Sequence, residues 1–148
     1  MSKRVIAPIC VAVVIGTMLM MTGCPPKECD GEIWVNAQDL PKLAAPTQML
    51  PEEGEVFEIY PRDTTLTWDA IDGAATYDIE IDCYHCCGWD QWCTDLEEPP
   101  QTTATGLTDA TYDFSWVGAQ PGRWRVRAVR SNGQEGDWSD WREFEYTI

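Results

Sequence analysis

The segment Tyr77–Asp82 reads YDIEID. Its apolar residues fall at every second position. Tyr77, Ile79 and Ile81 face one way, and Asp78, Glu80 and Asp82 face the other. A strand with one buried and one wet face needs that period, whereas a helix would scatter it around its circumference. The period returns along the chain. RWRVRAV (Arg123–Val129) sets Trp124, Val126 and Ala128 against Arg123, Arg125 and Arg127. EFEYTI (Glu143–Ile148) turns Phe144, Tyr146 and Ile148 inward, and TLTW (Thr65–Trp68) and TYDFSW (Thr111–Trp116) add shorter runs. Asp72-Gly73, Pro121-Gly122 and Asn132-Gly133 read as turns between runs. Beyond the first residues no stretch has strong helical periodicity. These features predict an all-β antiparallel sandwich of about seven strands.

The first 26 residues follow a different plan: MSKRVIAPICVAVVIGTMLMMTGCPP. Lys3 and Arg4 precede the uncharged run Val5–Met21, the charged-then-apolar order of a secretory signal. Met21-Thr22-Gly23-Cys24 resembles the lipobox of bacterial lipoproteins, with Met where that family usually has Leu. The resemblance implies cleavage of residues 1–23 as a lipoprotein signal peptide and lipidation of Cys24. An uncleaved membrane anchor is the alternative. Pro25, rather than Asp, follows the cysteine, which by the same resemblance favours the outer membrane of the cell envelope. Residues 24–42 hold prolines, acids and one apolar cluster, IWV, and read as a tether. The sandwich then spans residues 43–148.

Within it, LTWDAIDGAATYDIEI and GRWRVRAVRSNGQEGDWSDWREF resemble strands B–C and F–G of a fibronectin type III domain, an immunoglobulin-like fold found in bacterial surface proteins. Gly122 stands where the family's corner tyrosine would align, and the segment Cys83–Cys93 is an elaboration after strand C. Trp138-Ser139-Asp140-Trp141 also resembles the start of the Trp-Ser-x-Trp-Ser box of cytokine receptors, in which tryptophans interleave with strand-F arginines. The implied outer face carries acids on C, Arg123, Arg125 and Arg127 on F, and Trp138, Trp141 and acids on G. The expectation is a structural ladder neutralised from both sides; an anion-binding patch is the alternative.

The elaboration reads CYHCCGWDQWC. In an exported chain, Cys83, Cys86, Cys87 and Cys93 are expected to form two disulfides, with Cys86–Cys87 the least favoured pairing. A metal site drawn from Cys83, His85, Cys86, Cys87 and Cys93 is the alternative, because these are zinc-ligand types within one loop. With Cys10 in the signal and Cys24 lipidated, Cys29 is left without a partner. Tyr84, Trp89 and Trp92 are candidate contact anchors. Exposed tryptophan is unfavourable without a partner, so the expectation leans toward rings that cover the disulfides.

The formal charge of −15, or −17 once Lys3 and Arg4 are removed, argues against nucleic acid and anionic headgroups as partners. No Walker loop, dinucleotide fingerprint or HExxH occurs, and one histidine with four serines leaves few parts for a triad. The expected role is non-catalytic and without cofactor. It is a membrane-anchored module that binds a protein or glycan at the envelope, with a structural spacer and a metal-binding module as alternatives.

Overall fold

The computed structural model describes residues 40–58, 63–115 and 118–147. The signal, Cys24, Cys29 and most of the expected tether lie outside the described residues. Among the described residues nine strands form two sheets: β1 (Gln48–Leu50), β2 (Glu55–Phe57), β3 (Asp63–Trp68), β4 (Thr76–Cys83), β5 (Thr102–Leu107), β6 (Thr111–Ser115), β7 (Pro121–Val129), β8 (Glu135–Trp138) and β9 (Arg142–Tyr146). One sheet has the order β1-β3-β6. The other runs β2-β9-β7-β4-β5, with β8 also on β7. Because β8 and β9 both pair with β7, they act as one interrupted last strand. The result is the fibronectin type III-like sandwich, with β3, β4 and β7 in the places of strands B, C and F.

Strand parity explains the core. Tyr77, Ile79 and Ile81 lie opposite Ala128, Val126 and Trp124 in register, and all six are buried. Leu66 and Trp68 meet them from the other sheet, and Phe144 and Tyr146 close the same layer. Burying each large side chain of this kind contributes about 1.5–3 kcal/mol. The hydroxyl of Tyr146 is hydrogen-bonded to Thr64 Oγ1, which joins the two sheets through a satisfied polar pair.

Two expectations change. Pro121-Gly122 is no turn but the start of β7, and Gly122 is buried. An added Cβ there would stand 2.5 Å from Phe144 Cε2, so the glycine makes room for that ring. Four strands carry no alternating apolar signature: β1, β2, β5 and β8. Trp116 and Ile148, the expected last residues of two runs, lie outside the described residues.

The two ends of the sandwich differ. Leu43 O accepts from Asp137 N–H, Leu40 O accepts from the Gln134 side chain, and Lys42 pairs with Asp137. The chain therefore joins the sandwich beside the turn after β7. The register Thr76↔Val129 and Cys83↔Gly122 sets the cysteine loop at the opposite end, about 23 Å away at ~3.3 Å per residue.

Candidate functional site

The cysteine loop continues β4 past the sheet and folds back on itself. Tyr84 N–H donates to Pro121 O, Tyr84 and Trp92 form an antiparallel bridge, and His85 N–H donates to Gln91 O. The tip between them is tight. His85 and Asp90 have φ of 65° and 56°, a left-handed conformation that His and Asp tolerate better than most residues. Asp90 N–H donates to His85 Nδ1 at 2.8 Å, and the Asp90 carboxylate lies 3.5 Å from His85 Nε2.

Two disulfides hold this hairpin, Cys83–Cys86 and Cys87–Cys93, with Cα separations of 5.6 and 5.1 Å. Cys83 and Cys93 are fully buried, and Cys86 and Cys87 are exposed. Sulfurs paired in this way offer no thiolate to a metal, which removes the main ligands of the metal alternative. Among the described residues no group of three or more His, Cys, Asp or Glu side chains is placed to hold an ion.

The three aromatic residues of the loop part company. Tyr84 and Trp92 are half-buried against each other, with ring centroids 5.1 Å apart. Trp92 also lies under the Arg123 guanidinium, 4.4 Å from its centroid. Trp89 does not join them. It is 92% exposed, which corrects the expectation that the rings all fold over the disulfides. With His85, Cys86, Cys87 and Gly88 it lines a shallow hollow of about 320 Å³.

The outer face of the second sheet supports the loop. Arg123 lies between Trp92 and Trp141, Arg125 between Trp141 and Trp138, and Arg127 against Trp138, all 4.4–4.7 Å from the ring centroids. The register places Asp82, Glu80 and Asp78 opposite these arginines. Each guanidinium accordingly meets a carboxylate: Arg123 with Asp82 at 3.1 Å and Asp95 at 2.7 Å, Arg125 with Glu80 at 2.6 Å, and Arg127 with Asp78 at 2.9 Å and with Glu135. With every arginine of the row occupied by acids, the face offers no open cationic surface to an anion.

Alternation in the sequence did not disclose how the loop is fastened to this ladder. Asp82 is fully buried and accepts from Cys83 N–H, from the Thr94 hydroxyl at 2.6 Å, and from Arg123 Nε at 3.2 Å. Thr94 Oγ1 in turn accepts from Arg123 at 2.8 Å. Thr94 and Asp95 belong to the 3-10 turn Cys93–Leu96 at the end of the loop. Neither Thr94 nor Asp95 stands out in the sequence. Only the pairing of Asp82 with Arg123 was readable there, once β4 and β7 are set side by side.

Arg125 is the middle rung, half-buried between two rings and one acid. Arg125→Ala is expected to lower stability by about 1 kcal/mol through lost stacking and an unbalanced Glu80, read from urea denaturation at equal slope.

No protein-family model and no curated protein matches the chain. Among solved structures, the chain is similar to a Fn3-like protein from Clostridium thermocellum at 24% identity, over 73% of this chain and 97% of that one, with a TM-score of 0.47. It is also similar to a protein described as FN3tt at 13% identity, over 71% of this chain and 98% of that one, with a TM-score of 0.38.

Proposed function

We propose that this chain is a lipid-anchored, non-catalytic docking module of the bacterial cell envelope, tethered through Cys24 and engaging an envelope protein through the tip of the Cys83–Cys93 loop. The observation that carries this reading is Trp89, 92% exposed on a hairpin closed by two disulfides. A large apolar ring kept in water is unfavourable unless something covers it, and a rigid loop presents it at little entropic cost. The position of the loop supports the same reading, because it sits at the end of the sandwich away from the segment that leads back to the tether.

Trp89→Ala is expected to leave the unfolding midpoint within about 0.5 kcal/mol of wild type, as for a surface residue, while abolishing capture of the envelope partner by the full-length lipoprotein. Undiminished capture would reduce the loop to a clasp and favour the spacer reading. For the anchor, Cys24→Ala is expected to leave an uncleaved precursor without acyl mass. The test is intact-mass analysis of the membrane fraction, and wild-type protein that itself lacks acyl mass would overturn the anchor.

A further inference from the structure

We infer that the ligand of the Trp89 tip is cationic: an arginine- or lysine-rich segment of a partner protein, whose charged group lies on the Trp89 ring beside Asp90. This rests on the docking reading above and specifies its chemistry.

The molecule itself shows what its tryptophan faces take. Trp92, Trp138 and Trp141 each lie under at least one guanidinium, and each of those guanidiniums is held by a carboxylate from a neighbouring element. Trp89 has the same ring chemistry and an acid beside it in the chain. Its chain neighbour Asp90 supplies a carboxylate 85% exposed, and the ring is uncovered. The tip is also continuous with the ladder. From Arg123 on Trp92, contacts run to Tyr84 at 5.1 Å, on to His85 at 4.3 Å, and to Trp89 at 6.0 Å. A guanidinium on Trp89 would extend this run of ring contacts.

Among the described residues none is left to give. Every described basic side chain is in use: Lys42 on Asp137, the three ladder arginines on their acids, Arg130 on Pro41 O, and Arg142 on Met49 O and Pro51 O. The 60 residues between Arg62 and Arg123 contain no lysine or arginine and 12 acids. Glu97 and Glu98 are exposed near the base of the loop. Such a field repels a phosphate or sulfate and draws in a cation. A neutral sugar could stack on the ring and donate hydroxyls to a carboxylate, but it would gain nothing from the net negative charge.

The test is a fluorescence titration of full-length protein in neutral detergent with three probes: hexa-arginine, the isosteric but uncharged hexa-citrulline, and a neutral hexasaccharide of glucose. Hexa-arginine is expected to bind with an affinity that falls as salt rises, and the other two are expected not to bind. Trp89→Ala and Asp90→Asn are each expected to weaken hexa-arginine about fivefold, the scale of one exposed cation–aromatic or ion-pair contact. Binding of hexa-arginine that is unchanged in Trp89→Ala would reveal general charge attraction only and overturn the inference. So would equal binding of hexa-citrulline or the hexasaccharide. A parallel capture of the envelope partner separates the two levels. Capture that needs Trp89 but withstands saturating hexa-arginine keeps the docking reading and ends the cationic one. Capture indifferent to both Trp89 and hexa-arginine ends both.

Discussion

Arg123→Ala is expected to lower the unfolding free energy by about 3 kcal/mol, the low end for breaking a buried ion pair by removing one partner. Asp82 has no exposed surface, and the Arg123 side chain is only 10% exposed. Without the guanidinium, Asp82 keeps the donors of Cys83 and Thr94 but loses its charge partner. That residual hydrogen bonding is why the estimate lies near the low end. The loop should loosen as well, since the same guanidinium covers Trp92 and holds Asp95. Chemical denaturation measures the first effect, and a red shift of tryptophan emission in the folded state reports the second. Arg123→Lys should fall between, because an ammonium keeps the charge but cannot bridge Asp82, Thr94 and Asp95 as a fork. The double replacement Asp82→Leu with Arg123→Leu should recover much of the loss. If it is as unstable as Arg123→Ala, the buried charge is not the cause.

Gly122→Ala is expected to cost about 3 kcal/mol, as an overpacked core position. The new methyl would fall on the ring of Phe144, itself 1% exposed and ringed by Phe57, Phe114 and Tyr146. The ring has nowhere to retreat in an interior packed as densely as a crystal. Thermal and urea unfolding would read the loss. Adding Phe144→Leu should make the alanine more tolerable than in the wild-type background. An alanine that costs less than about 0.5 kcal/mol would show that the ring moves aside freely.

The difference between β4 and β5 shows what was legible in the sequence. TYDIEIDC presents the sandwich with an apolar row at every second position, so its face and class were readable. TTATGL in β5 has an exposed or half-exposed pattern and, among the described residues, pairs with β4 alone. An edge strand of small polar residues owes its conformation to its neighbour's backbone, which no local pattern records. β1 and β2 are three residues each and offer no period at all. At the site, the arginines and tryptophans of the ladder were readable by parity, whereas the fate of the loop was not. Trp89 and Trp92 stand three residues apart with similar neighbours, yet one lies under Arg123 and the other faces water. Parity within a strand says nothing about which way a ring turns in a hairpin tip. The left-handed residues His85 and Asp90 and the bridge Tyr84↔Trp92 decide that. Pro121-Gly122 misled for a related reason: a glycine that looks like chain reversal was serving a neighbouring ring.

The pairing of β2 with β9 is parallel, with Glu55, Val56 and Phe57 against Phe144, Glu145 and Tyr146. Backbone bonds from Gly54 N–H to Glu143 O and from Thr147 N–H to Phe57 O extend it at both ends. Consider a pull on the segment before β2 against a pull on the segment after β9. Because the two strands run the same way, such a tension drags them along each other, and the hydrogen bonds between them, lying across the strands, are sheared together instead of being peeled one by one. Resistance to shear sums over the whole pair, whereas a peeled edge yields at its weakest bond. Under a pull applied to the segments before β2 and after β9, this short pair would act as a mechanical clamp.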